Sequence, residues 1–185
     1  MKNFPVKVTE DTIIDGENMK GRTIWASPSV AVAMFVFHTE DDKTYVLANK
    51  RGKGCPDYVG YWSCPCGYLE YGDRSIEDAA SRELFEESGI DFSNCLFNLF
   101  GIHKDDNGKE NITFRFWATT DYHLFDNKFY ELTDKYSEPD EIEEQKWIPI
   151  SEVGNYKWAF GHEKLIFEGY IAYSTNLMKH NDILC

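Results

Sequence analysis

Residues 67–90 read Gly67-Tyr-Leu-Glu-Tyr-Gly-Asp-Arg-Ser-Ile-Glu-Asp-Ala-Ala-Ser-Arg-Glu-Leu-Phe-Glu-Glu-Ser-Gly-Ile90. Ser75, followed three residues on by Asp78, has the form of a capping box and starts a helix near Ile76. Gly89 is placed to end it, because glycine takes the left-handed C-cap conformation without a steric penalty. At about 100° per residue, Ile76, Ala79, Ala80, Glu83 and Glu87 fall on one face, with Glu86 at its edge. The first turns of that face are apolar and small, which suits close packing on a sheet. The same face then becomes three carboxylates.

Two explanations compete for this change. One is a solvated helix end, since Glu is a good helix former. The other starts from electrostatics. Like charges at i,i+3 and i,i+4 repel, and they oppose the negative end of the helix dipole. Arg82 is the neighbouring cation within the helix. Bare carboxylates facing inward would cost several kcal/mol each. A divalent cation removes the conflict, and oxygen-only ligands suit Mg²⁺, with Mn²⁺ as a substitute.

At these residues the sequence resembles the Nudix hydrolase signature: Gly, five residues, Glu, seven residues, Arg-Glu, apolar, any, Glu-Glu, any, Gly, apolar. Arg82-Glu83-Leu84-Phe85-Glu86-Glu87-Ser88-Gly89-Ile90 fits the second half at every position, and Gly67 fits the opening glycine. The first acidic slot falls on Asp73, which replaces Glu. The gap from Asp73 to Arg82 is one residue longer than the pattern, and Cys66 stands where many members have a second glycine. The resemblance is firm over residues 67–90 and, by strand order, extends over roughly 29–178.

The resemblance implies an α/β/α sandwich (α/β or α+β class) with a mixed sheet and a loop–helix–loop metal site. It implies Mg²⁺ binding by Glu83, Glu86 and Glu87, with Arg82 orienting Glu83 and pairing with the acid at 73. Asp73 then fits a structural partner better than a ligand, and stays a candidate additional acid. Members typically hydrolyse a nucleoside diphosphate linked to another group. The chemistry agrees, because phosphoanhydride cleavage needs neutralised phosphate oxygens and a water made nucleophilic, and bound metals do both. Glu86 is the expected general base. A carboxylate from Glu138–Glu144 is the rival, with Glu141 and Glu144 as further acids. Two alternatives stay open: a Nudix-like domain that senses a nucleotide without turnover, and an enzyme resembling isopentenyl diphosphate isomerase.

Outward from the motif, Val30–Phe37 is a continuous apolar run and reads as a strand buried on both faces. A polar turn at Thr39–Lys43 leads to a second strand, Tyr45–Ala48. That strand is expected to end in a basic loop, Lys50-Arg51-Gly52-Lys53-Gly54. Arg51, Lys53 and Gly67 are candidate substrate contacts through phosphate. For the basic residues the alternative is a solvated turn. Strands are expected near 96–103 and 111–120, joined by the hairpin signal Asp106-Asn107-Gly108, and at Ile142–Ile150. A closing helix is expected from His162 to about Met178. Residues 1–28 read as an N-terminal extension, a β-hairpin packed on the domain. Residues 29–185 read as the main domain, with an insertion near 122–140.

The chain has 185 residues, 19 Lys and Arg against 32 Asp and Glu, and a formal net charge of −13. That balance excludes passive nucleic-acid binding and argues against an anionic membrane surface. It also means that an anionic, nucleotide-type small molecule needs a cation as intermediary. A homodimer is one expected assembly. The start of the chain shows no apolar signal-peptide core, and the longest apolar run, Val30–Phe37, is too short to span a bilayer. Five cysteines without framework spacing read as reduced thiols in a cytoplasmic protein. Cys55, Cys64 and Cys66 lack paired-knuckle zinc spacing and read as buried thiols. Tyr58, Tyr61, Trp62, Tyr68, Phe129 and Tyr130 are either core or, for one or two of them, nucleobase partners. His162 either touches phosphate or makes a structural hydrogen bond.

Overall fold

A computed structural model describes residues 4–14, 16–26, 29–89, 96–104, 111–119 and 140–181. The 122–140 insertion, apart from Asp140, lies outside the described residues, as does the Asp106-Asn107-Gly108 turn.

The apolar run forms β5 (Val30–Glu40), the centre of a mixed sheet. Its side chains alternate between two cores. Val32, Met34 and Val36 join one cluster with Ala79, Ala80 and Leu84 of α1 (Ile76–Ser88). Ala33, Phe35 and Phe37 join the other with Leu165, Ile166 and Tyr173 of α2 (His162–Asn181). Period-two alternation with both faces apolar is what a strand needs between two helical layers. The expected α/β/α arrangement is present.

Along one edge β5 pairs in parallel with β10 (Ile112–Thr119), which pairs antiparallel with β9 (Asn98–Lys104). The other edge is shared. Its end, Phe37–Glu40, pairs with β6 (Lys43–Arg51), and its beginning, Ala31–Ala33, pairs with β8 (Cys66–Tyr68). The outer edge of β6 pairs with β11 (Ile142–Pro149), and the short β7 (Trp62–Ser63) meets β6 at Asn49 and Lys50. β6 and β8 thus diverge from a common neighbour, and α1 docks where they part.

Three boundaries differ from the sequence expectation. β5 and β6 run on to a two-residue turn, Asp41-Asp42, with φ of 48° and 59°; both Asp residues adopt the left-handed backbone that such hairpin turns require. β6 continues through Lys50 and Arg51, so these two residues are strand rather than loop, held by pairing with β11. A 3-10 helix, Ile150–Asn155, follows β11 and was not expected. The N-terminal segment forms two nested pairs rather than a single hairpin: β1 (Phe4–Lys7) with β4 (Thr23–Ala26), and β2 (Ile13–Ile14) with β3 (Glu17–Asn18).

Candidate active site

α1 begins where Ser75 caps it, its side chain accepting from the Asp78 N–H at 3.2 Å. The Asp78 carboxylate turns back to the N–H and guanidinium of Arg74, so the capping box is not reciprocal. Gly89 ends the helix at φ 70°, its N–H reaching the Phe85 carbonyl at 2.8 Å. Both ends being fixed, the acidic residues of the last turns have a set direction toward β6 and β8.

Arg82 organises this face. Its Nε and Nη2 donate to the two carboxylate oxygens of Asp73 at 3.1 and 3.0 Å. Nη2 also donates to the Tyr68 carbonyl at 2.8 Å. Nη1 donates to Glu83 at 2.9 Å and to Glu86 at 2.8 Å. Asp73 is almost fully enclosed and also accepts from the Glu70 N–H at 2.8 Å, so both its oxygens are engaged. The Arg82 guanidinium beside it holds its carboxyl below the usual range. The bidentate fork is geometry that Arg supplies and Lys does not.

Glu83 and Glu87 point inward. Gly67 stands against Glu83, and a Cβ there would overlap the Glu83 carboxyl group. Burial pushes the Glu83 carboxyl up to about 7. Glu87 accepts from Asn49 Nδ2 at 3.1 Å and the Cys66 N–H at 3.3 Å. Burial, helped by the Glu83 charge, pushes Glu87 up to about 8. Glu86 is the more open carboxylate, its side chain 40% exposed against 13% for Glu83. Among the described residues, no three Asp, Glu, His or Cys side chains are arranged as a formed cation site. Arg82 Nη1 instead lies between Glu83 and Glu86. Three such carboxylates nevertheless suit a hard divalent cation: their donors are all oxygen, and burial makes Glu83 and Glu87 hard to ionise until positive charge is added.

The other candidates fall in different places. Arg51 is buried, bound to the Asp57 carboxylate at 2.9 Å and carbonyl at 3.1 Å. Lys50 pairs with Glu143, and Lys53 is exposed beside Asp140 at 3.3 Å. Glu144 is exposed and pairs with Lys146. The Glu141 carbonyl clasps the Gly52 N–H and the Cys55 thiol. From β11, Gln145 reaches α1: its Nε2 donates to Asn49 Oδ1 and to the Glu87 carbonyl. Asn49 and Gln145 had not been singled out. The signal for Asn49 was a polar residue directly after the apolar stretch Val46-Leu47-Ala48, where it is fully buried. His162 makes the structural hydrogen bond: Nδ1 accepts from the Cys64 N–H at 2.9 Å. Cys55 and Cys64 are buried free thiols, and Cys66 is half-buried.

A mixed sheet between helices, with an arginine-locked acidic helix at its split edge, is the architecture of a Nudix domain. The NUDIX domain family model matches residues 27–168, and the chain belongs to the Nudix family. It is 28% identical over 97 residues to Nudix hydrolase 19, chloroplastic, of Arabidopsis thaliana; the match covers 52% of this chain and 20% of that relative's length. The fold is similar to the NUDIX domain of Shewanella oneidensis NrtR complexed with ADP ribose, at a TM-score of 0.62 and 20% identity, covering 80% of this chain and 90% of that one. It is equally similar to a mutT/nudix family protein from Listeria innocua, at 0.62 and 19% identity, covering 83% and 98%.

Proposed function

We propose that this protein hydrolyses the phosphoanhydride bond of a nucleoside diphosphate linked to another group, with Mg²⁺ or Mn²⁺ held by Glu83, Glu86 and Glu87. The carrying observation is the acidic face of α1, where Arg82 Nη1 bridges Glu83 and Glu86 while burial makes Glu83 and Glu87 hard to ionise. Bound Mg²⁺ supplies charge neutralisation at phosphate oxygens and a lowered pKa for water. Glu86, the open carboxylate, receives the proton of the attacking water. Asp73 acts through Arg82 and is a positioning residue. The free thiols fit a reducing compartment, such as the cytoplasm. Among the described residues no helix is long and apolar enough to cross a membrane.

A screen over nucleoside diphosphate derivatives, with and without Mg²⁺ and with a phosphatase added to free phosphate from the monoester products, tests this beside Glu86→Gln. Mg²⁺-dependent release that falls by a factor of about 10² or more in the variant supports both reaction and base. Near-normal turnover in Glu86→Gln moves the base elsewhere. The likeness to a domain solved with ADP ribose favours one second reading, a domain that binds such a ligand without cleaving it. Thermal stabilisation by ADP-ribose with no turnover across the panel would select it.

A further inference from the structure

Outside the acidic helix, two bulky aromatic residues hold left-handed backbone: Tyr58 at φ 51° and Phe160 at φ 56°. Such residues take this conformation at an energetic cost, and it persists where surrounding structure over-determines it. Their rings meet edge to face with centroids 4.9 Å apart, and the Tyr61 ring lies 5.6 Å from Tyr58. Two distant segments of chain have been brought together to make this corner.

Backbone bonds fasten both segments. The Gly60 N–H donates to the Arg51 carbonyl, and the Arg51 N–H donates to the Tyr61 carbonyl, each at 2.8 Å. The Tyr61 N–H closes a turn onto the Tyr58 carbonyl at 3.0 Å. On the other side, the Trp62 N–H donates to the Lys157 carbonyl and the Ala159 N–H to the Trp62 carbonyl, which ties the approach to Phe160 beside β7. Arg51 lies over the Phe160 ring, its guanidinium 4.9 Å from the centroid and held there by Asp57. Asn49, two residues before Arg51 on β6, donates to Glu87 at 3.1 Å, which brings this end of the strand to the acidic helix.

A corner made for packing alone would be covered. Tyr58 and Tyr61 remain 44% and 38% exposed, and Val59 between them 52%. The result is a rigid π surface backed by a cation, next to the helix proposed to handle a diphosphate. Stacking on such a surface favours a flat ring system and tolerates different bases.

We propose that Tyr58, Tyr61 and Phe160 form the seat of the substrate's nucleobase, the part of the site that separates nucleotides from base-free diphosphates. This rests on the reading of the substrate as a nucleoside diphosphate derivative. Tyr58 and Tyr61 act in binding and take no part in the chemistry.

The test is calorimetric binding of ADP and of inorganic diphosphate to the full chain in Mg²⁺, for the wild type, Tyr58→Asn and Tyr58→Phe. Asn accepts the left-handed backbone without a ring, and Phe keeps the ring. The expected result is a Kd for ADP about tenfold higher in Tyr58→Asn, within twofold of wild type in Tyr58→Phe, and unchanged for diphosphate in both. Equal weakening of both ligands, unchanged ADP affinity in Tyr58→Asn, or no ADP binding by the wild type would overturn the proposal. Should Tyr58→Asn fail to fold, Tyr61→Ala carries the same comparison. Binding is read without turnover, so a catalytically silent protein would defeat the hydrolase reading while leaving this measurement decisive.

Discussion

A side chain on Gly67 and the carboxyl group of Glu83 would claim the same space: a Cβ built on Gly67 overlaps the Glu83 carboxyl carbon and oxygens. Gly67 lies in β8 and pairs with Val32, so its backbone cannot yield without disturbing the central sheet. The glycine at the head of the motif is therefore a condition for placing Glu83. Gly67→Ala is expected to displace Glu83, to cost about 1–3 kcal/mol by overpacking, and to lower Mg²⁺-dependent hydrolysis by about 10²-fold. Urea denaturation and turnover measure the two effects. A variant that is destabilised yet fully active would show that Glu83 is not needed where it stands.

Asp73 and Arg82 form a forked pair in which both carboxylate oxygens are used. Asp73→Asn removes the charge and half of the fork while keeping the shape. The expected loss is about 2 kcal/mol of stability, in the range for charge-assisted hydrogen bonds. Mg²⁺ affinity should stay within a few-fold of wild type, because Asp73 acts through Arg82. A drop of more than tenfold in Mg²⁺ affinity at full folding would make Asp73 a ligand.

The raised carboxyls make a linked prediction about pH and metal. In the metal-free protein Glu83 and Glu87 titrate at about 7 and about 8, against 4.5 for an ordinary Glu. The folded chain retains protons there that the unfolded chain has already released. Stability from these groups is fullest below pH 4.5 and is lost as pH rises through 7 and 8. At ~1.4 kcal/mol per unit, the total is several kcal/mol. In EDTA, Glu87→Gln should gain on the wild type in Tm as pH rises from 5.5 to 8.5. Mg²⁺ should stabilise the wild type far more at pH 8.5 than at 5.5. Parallel Tm curves for variant and wild type in EDTA would mean that Glu87 is already ionised at neutral pH.

Much of this fold was legible because local signals agreed with tertiary demands. Ser75 and Gly89 bound α1 by cap chemistry that needs no tertiary partner. The run from Val30 is apolar on both faces because two helices cover it. Lys50 and Arg51 misled because their charge and the following glycine suggest a loop, whereas β11 pairing keeps them extended and Asp57 neutralises Arg51. The acidic residues could be picked out along one helix, but the groups that hold Glu87 come from β6 and β8. Asn49 and the Cys66 N–H meet it only after the sheet has split around α1. No spacing along the chain encodes that meeting.

His162 supplies a stability prediction of the opposite sign. Its ring is buried between Phe35 and Phe160, and its Nδ1 accepts from the Cys64 N–H, so the neutral imidazole carries its proton on Nε2. Burial lowers its pKa from 6.5 to about 3, with the charges of Arg115 and Arg51 adding to the effect. Protonation is therefore easier in the unfolded chain, and stability is lost as pH falls from 6.5 toward 3. His162→Gln keeps an acceptor for Cys64 and removes the titration. At pH 7 the variant should be less stable by about 1–3 kcal/mol through lost packing. Below pH 6.5 the wild type should decline faster, so that the gap closes and then reverses by about pH 4. Denaturant titrations at half-unit pH intervals measure it. A gap that stays constant from pH 7 to 4 would show that His162 takes up its proton without leaving the folded state, and that the Cys64 contact does not depend on a neutral ring.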